Sequence, residues 1–180
     1  GLSGAGTAWL RRSDEIARHV ADVDTVHLPC GHPDWHEWDG VTCTLLCRDH
    51  SAHEDQTRWP AFQLGESLVL HYWMTGDRDS LDAAVANAEY LLRAQAGLGS
   101  GSAREQARPM LTLLRVWQAT GNQRYLDGAK RYFDLEYQTR TVLDWRRGAY
   151  IQVTYDNWHC ISAGLDSMYA HNVYDYYRIT

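Results

Sequence analysis

The chain has 180 residues, 44% of them hydrophobic, and a net charge of −6 with histidine counted neutral. That length supports one ordinary core, the apolar content excludes a disordered polymer, and the acidic balance disfavours a nucleic-acid surface, which needs a basic stripe. No apolar run approaches the length of a membrane helix and no signal-peptide pattern opens the chain, so neither nucleic acid nor membrane is expected as a partner, and the sequence assigns no cellular location.

Gly1 to Gly6 reads as a loop. Residues 8–20 read as a helix, with Ala8, Ile16, Ala17 and Val20 supplying part of an apolar face. Residues 22–60 differ, carrying Pro29, Pro33, Pro60, Gly31, Gly40 and most of the histidines. They read as a long loop with a short helix around 41–48. A loop of this length inside a domain is functional or disordered, and Trp35, Trp38 and Trp59 point to function.

Helices dominate from residue 62. Leu64, Leu68 and Tyr72 share one face at i, i+4, i+8. Thr75-Gly76 ends that helix, with Gly76 as a left-handed cap, and Asp77 or Asp79 caps the next. Leu81, Ala84, Val85, Ala88, Leu91 and Leu92 form a helical stripe, and Gly97 to Ser102 is a Gly/Ser break. A second hairpin repeats the scheme: Leu113, Leu114 and Trp117 stand where Leu68, Val69 and Tyr72 stood, Gly121 is the cap, Asn122 replaces Asp77, and Leu126, Ala129 and Phe133 follow. Residues 141–156 suggest a short β-excursion, and a third helix is expected from about Ile161 to the end.

Three helix endings are near copies: Leu68-Val-Leu-His-Tyr-Trp-Met-Thr-Gly-Asp77, Leu113-Leu-Arg-Val-Trp-Gln-Ala-Thr-Gly-Asn122 and Val173-Tyr-Asp-Tyr-Tyr-Arg-Ile-Thr180. The first two align at an offset of 45 (121 − 76) and the third at 60 (180 − 120). Internal repeats of this size predict an array of helical hairpins, and the third copy, ending at Thr180, suggests that the array continues in a larger protein.

Hairpins of this pattern resemble the (α/α) toroid enzymes of carbohydrate metabolism. Within that group, Ala17-Arg-His-Val-Ala-Asp-Val-Asp-Thr-Val-His27, then His53 and Gly65-Glu-Ser-Leu-Val-Leu-His-Tyr-Trp-Met-Thr-Gly-Asp77, are similar to segments of exo-rhamnogalacturonan-lyase-like proteins, a polysaccharide lyase group. The resemblance covers roughly residues 8–135 and, more faintly, the last helix. It implies an all-α fold of the six-hairpin glycosidase type, with this chain as about half of an (α/α)6 toroid. The expected layout within 1–180 is an N-terminal helix plus His/Trp-rich loop (8–60), hairpin 1 (61–97), hairpin 2 (103–137) and the first helix of hairpin 3 (157–180). Half a ring needs partner hairpins, from the same or another chain.

In such a toroid the helix before Thr-Gly-Asp is the inner one, and its N-terminal end faces the active-site mouth. That expectation gathers Arg58, Trp59 and Glu66; Arg104, Glu105 and Arg108; and Tyr155, Trp158 and His159. Free N–H groups and the helix dipole at such ends favour anions, so a carboxylated sugar is the expected partner. A lyase acting on it must neutralise the carboxylate, remove the adjacent proton and protonate the leaving oxygen. Arg104 or Arg58 suits the clamp, His53 or His159 the base, and Tyr155 the acid. Arg104 reads equally as a solvated charge, His159 as a packed histidine and Tyr155 as structural. A hydrolase would instead need two carboxyl groups; of Glu54, Asp55, Glu66, Glu105 and Asp156, Glu66 is best placed. A non-catalytic helical scaffold binding glycan or protein is the third reading.

Eight Trp and eleven Tyr against two Phe suit sugar stacking as well as helix interfaces. His27, Trp35 and Trp38 are the loop's candidates for substrate contact. The loop also packs His27, Cys30, His32, His36, Cys43, Cys47, His50 and His53 into 27 residues (27–53). Four such ligands would make a zinc site, but no Cys-x-x-Cys pair is present, and packing or a disulfide competes with that reading. No cofactor is required by the residues. With Cys160 there are four cysteines, allowing three pairings.

Overall fold

The computed structural model describes residues 4–25, 40, 60, 63–94, 103–140, 153–155, 158–160 and 163–180. The side chains of 23–24, 103–105, 136–140, 163–169 and of the strand residues lie outside that description. Among the described residues the protein is an all-α array: α1 (Gly4–His19), a π-helical turn (Val20–Asp24), α2 (Gly65–Thr75), α3 (Arg78–Ala94), α4 (Ala103–Thr120), α5 (Gln123–Arg140) and α6 (Ala163–Ile179), with two short strands before α6. The chain divides into two compact units, residues 1–58 with 62–90, and residues 59–61 with 91–180.

In the first unit, α1 begins at Gly4, so Gly4 to Gly6 form its first turn rather than a loop. No α1 side chain is buried; Trp9, Leu10 and Ile16 are exposed. The expected apolar face becomes buried only at Val20 and Ala21, in the π-helical turn. Thr25 ends that turn by donating its hydroxyl to the Val20 carbonyl (2.8 Å), a group the broken ladder leaves over. The core of this unit is Leu68 and Val69 of α2 with Leu81, Ala83, Ala84 and Ala88 of α3. Burying a side chain the size of Leu68 contributes about 1.5–3 kcal/mol.

Gly40 is the described point in the middle of the His/Trp-rich loop. It is buried, has φ +77°, and its carbonyl accepts a hydrogen bond from Asn87 Nδ2 (2.8 Å), which also donates to Gln63 Oε1 (2.7 Å). A β-carbon there would overlap the Ala86 carbonyl and stand 2.9 Å from the Asn87 amide nitrogen. Only glycine combines this φ with this closeness to α3. The helix expected at 41–48 lies outside the described residues, as do all four cysteines but Cys160, which stands in a strand.

The second unit is built on α4, which packs against both α5 and α6. Ala107, Met110, Leu113, Leu114 and Val116 of α4 are buried with Leu91, Tyr125, Ala129 and Tyr132. Tyr132 satisfies its buried hydroxyl on the Leu91 carbonyl (2.8 Å). Asn172 Nδ2 donates to the Ala107 carbonyl (2.6 Å), and Arg115 pairs with Asp175 (2.6 Å), joining α4 to α6. Arg115 and Asp175 are equivalent positions of the repeat (175 − 115 = 60). α4 and α6 therefore meet in register. Phe133 of α5 stacks on Tyr176 of α6, with ring centroids 5.7 Å apart.

The two Thr-Gly turns carry the same bonds. Gly76 (φ +76°) and Gly121 (φ +70°) are left-handed, and their amides donate to the carbonyls of Tyr72 and Trp117, each at 2.7 Å. The Thr75 and Thr120 hydroxyls donate to the His71 and Val116 carbonyls, each at 2.7 Å, and accept the amides of Asp77 (3.2 Å) and Asn122 (3.3 Å). Asp77 Oδ1 then accepts the Asp79 amide (3.3 Å), and Asn122 Oδ1 the Arg124 amide (3.1 Å). Of the two candidate caps for α3, Asp77 holds the position. Thr-Gly-Asp is thus a complete stop-and-restart signal, filling orphan carbonyls on one side and orphan amides on the other. Its repetition is explained by local geometry, with no chemistry required of it.

The β-excursion expected within 141–156 and the third helix expected from about Ile161 are both present, the excursion running on to Cys160. Val153–Tyr155 (β1) and Trp158–Cys160 (β2) form an antiparallel ribbon, and α6 begins at Ala163. Val-Thr-Tyr and Trp-His-Cys are extended-chain formers, and the two residues between them, Asp156-Asn157, are of the types that hairpin turns select. In α6, Tyr174 and Tyr177 are exposed, whereas their counterparts Val69 and Leu114 (of Tyr174) are buried.

Candidate functional site

Glu66 lies in the first turn of α2, and its Oε2 is buried. Arg104 and Glu105 stand in the first turn of α4 and Arg108 in the next, so α4 does bring these three together. Arg108 is half-buried; its Nε is buried and has no hydrogen-bond partner among the described residues, and the same holds for Gln106 Oε1 and Thr112 Oγ1. Pro109 sits inside α4 and has no N–H to return to the Glu105 carbonyl. Between Gln106 and Thr112, α4 therefore carries buried polar atoms that the helix and its described neighbours do not satisfy, an uncommon condition.

The ribbon brings Tyr155, Trp158 and His159 together. Tyr155 pairs with Trp158, and His159 with Thr154. Tyr155 and His159 are on successive rungs, and rungs of a ribbon alternate between its two faces. His27, Trp35, Trp38, His53, Arg58 and Trp59 lie outside the described residues, as do the His/Cys positions weighed for zinc other than those named above. Among the described residues no group of three or more His, Cys, Asp or Glu side chains is placed to hold a metal.

One polar centre was not among the sequence candidates. His71 of α2 is 2% exposed. Its Nδ1 lies 2.8 Å from Ser80 Oγ, its Nε2 3.0 Å from Asp14 Oδ1 of α1, and Asp77 Oδ2 is 3.8 Å from Nδ1. Ser80 Oγ also donates to Asp77 Oδ2 (3.3 Å), and Arg18 holds Asp14 Oδ1 from one turn on (3.2 Å). The His71 hydrogen bond, and then that from Arg18, hold the Asp14 carboxyl below the ordinary carboxylate value; Asp14 in turn raises Arg18.

Serine, histidine and aspartate here have the composition of a nucleophilic triad, but Ser80 is 0% exposed. No substrate carbonyl reaches its Oγ, so the arrangement is a structural clasp. The available sign in the sequence was a break in the apolar pattern: His71 stands where the second copy has the buried Val116.

Beside the clasp, an open cleft of about 760 Å³ is lined by Glu15, Asp22, Asp77, Asp79 and Asp82 with Arg18 and His19. Its balance is acidic, the opposite of what an anionic sugar needs. No helix among the described residues is long and apolar enough to cross a membrane. No protein-family model, curated protein or solved structure matches the chain.

Proposed function

We propose that the chain is a helical-hairpin portion of an (α/α) toroid enzyme that cleaves an acidic, uronate-containing oligo- or polysaccharide by β-elimination, with further hairpins of the same or another chain completing the ring. The observation that supports this reading is Arg108: a guanidinium on the second turn of α4, with its Nε buried and without a partner among the described residues. A buried donor in that condition costs free energy unless a ligand completes it, and a carboxylate is the natural complement of a guanidinium.

In this reading Arg108 and Arg104, at the positive end of α4, neutralise the sugar carboxylate. That stabilises the negative charge that develops when the neighbouring C–H loses its proton. A histidine base, His159 or His53, takes that proton. The electron pair becomes a carbon–carbon double bond, the bond to the glycosidic oxygen breaks, and the leaving oxygen takes its proton from Tyr155 where His53 is the base, or from water where His159 is. Trp158, Trp59, Trp35 and Trp38, with Glu105, Arg58 and His27, are the proposed sugar contacts.

The test is turnover of uronate-containing oligosaccharides followed by ultraviolet absorbance, because elimination leaves a conjugated double bond. Arg108→Ala should lower kcat/KM by about 10²–10³-fold, the loss found for removing one preorganised donor, with the far-ultraviolet circular dichroism unchanged. Glu66 supports a second reading: a buried carboxyl oxygen at a helix start suits the general acid of a glycoside hydrolase. New reducing ends without ultraviolet absorbance, abolished by Glu66→Gln, would favour it. Binding of glycan or protein without either product would identify a scaffold and refute both enzymatic readings.

A further inference from the structure

The His71 clasp contains more contacts than a neutral histidine can fill. Three contacts share a fixed supply of protons: two short ones, His71 Nδ1 with Ser80 Oγ (2.8 Å) and His71 Nε2 with Asp14 Oδ1 (3.0 Å), and a longer one, Ser80 Oγ with Asp77 Oδ2 (3.3 Å). Ionised carboxylates only accept, so Ser80 must donate to Asp77 and the ring must donate to Asp14. Ser80 has one proton. Once that proton is given to Asp77, the Nδ1 contact requires a proton on the ring as well. A neutral imidazole carries one N–H and fills two of the three contacts; an imidazolium carries two and fills all three.

We infer that the Asp14–His71–Ser80–Asp77 chain is complete only when His71 holds a proton on both ring nitrogens, which makes it a proton-dependent clasp of α1 onto the α2–α3 hairpin. The surroundings fit a cation. Asp14 and Arg18 face the ring from α1, Asp77 from the turn, and Ser80 from α3; Asp79 adds negative charge toward Arg18. Around the ring stand two carboxylates, with the single Arg18 on the outer side of one.

The clasp also carries unusual weight. α1 buries none of its own side chains, and Trp9, Leu10 and Ile16 are exposed. Asp14 reaches the buried His71 ring of α2 and so ties this helix to the interior of its unit. When the ring drops to one proton, that proton stays on Nε2 against the Asp14 carboxylate, but the bond loses its charge assistance at the point where α1 buries none of its own side chains. A charge-assisted bond of this kind is worth roughly tenfold or more in an equilibrium constant, so α1 should open correspondingly more often.

The repeat supplies a variant that separates this device from mere structural support. Asn122 occupies the position of Asp77 in the second turn and caps α5 with its Oδ1 as Asp77 caps α3. Asp77→Asn therefore retains the cap. With Oδ1 on the Asp79 amide, the new amide nitrogen faces Ser80 and donates to it. Ser80 is then released to donate to His71 Nδ1, and a neutral ring fills every contact.

The experiment uses the full chain labelled with nitrogen-15. Ring-nitrogen spectra of His71, assigned by their loss in His71→Gln, are recorded across about pH 5–8, the range in which histidines commonly titrate. Amide-exchange protection of α1, corrected for the intrinsic pH dependence, is measured over the same range. The expected result is a doubly protonated His71 ring while α1 is protected, with α1 protection falling about tenfold as the ring loses its second proton, and no such fall in Asp77→Asn. A wild-type ring with one bare nitrogen while α1 is fully protected would overturn the inference. So would α1 protection that ignores the ring's titration, or an undiminished fall in Asp77→Asn.

Discussion

Gly40→Ala tests whether Gly40 lies against α3 as described. Gly40, Gly76 and Gly121 have nearly the same backbone angle, with φ of +77°, +76° and +70°. An alanine at each carries the same left-handed penalty, about 1–2 kcal/mol. Their surroundings differ. Nothing lies within 4 Å of a β-carbon at Gly76 or Gly121, whereas at Gly40 it overlaps Ala86 backbone in the middle of α3. Backbone of a helix cannot swing aside as the tip of a side chain can. The loop must lift, and the buried bond from Asn87 Nδ2 to the Gly40 carbonyl is lost, adding about 1–3 kcal/mol. Gly40→Ala should thus cost about 2–5 kcal/mol, and the other two only the backbone penalty. Urea titration of the three variants, followed by circular dichroism and with equal m-values required for the comparison, gives the differences directly. If Gly40→Ala is no worse than Gly121→Ala, the loop does not rest on α3 at that point. A cost well above 2 kcal/mol at Gly76 or Gly121 would show that those turns are more crowded than described.

The α4–α6 pairing predicts non-additivity. Arg115 and Asp175 are only 23% and 16% exposed, so Arg115→Met or Asp175→Leu alone should destabilise by about 3 kcal/mol or somewhat less, because a partly buried charge is left unpaired, whereas the double substitution should be close to neutral; additive losses in a double-mutant cycle would rule out the direct pair. Acid should release α1 through Asp14. Its carboxyl titrates below the ordinary 3.8 because His71 and Arg18 bond its ionised form; its contribution is therefore present above 3.8 and lost as pH falls through the lowered folded value. Asp14→Asn should show less α1 protection at neutral pH and a flatter acid limb, and an acid limb identical to the wild type would remove Asp14 from the clasp.

The helical hairpins were legible because their signals are local. The α3 stripe, the matched α2 and α4 endings and the Gly76 and Gly121 caps all rest on residues within about two turns of one another, where side-chain period and φ preference act directly. The errors have local causes too. Glycine is a weak helix former, so Gly4–Gly6 reads as a loop, yet the first turn of α1 tolerates it. The β-excursion that residues 141–156 suggest is present at Val153–Tyr155 and runs on to Cys160, and α6 starts at Ala163, two residues after the expected Ile161, because extended-chain formers stand on either side of Asp156-Asn157. For the site, Arg104, Glu105 and Arg108 were legible as a group because they share one helix start. That Arg108 Nε and Gln106 Oε1 are buried was not legible, since burial depends on what packs against α4.

The sequence by itself determined where helices stop and restart: a threonine hydroxyl, a left-handed glycine and an Asp or Asn cap act over nine residues, from the His71 carbonyl to the Asp79 amide in the first copy. Tertiary structure alone decided which polar residues meet. His71 reaches Asp14 across 57 positions, Asn87 reaches Gly40 across 47, and Arg115 reaches Asp175 across 60. Such pairings are set by the packing of helices that have already formed. The same His71 that reads as an interruption in an apolar repeat becomes, once α1 and α3 close around it, the centre of a proton-dependent clasp.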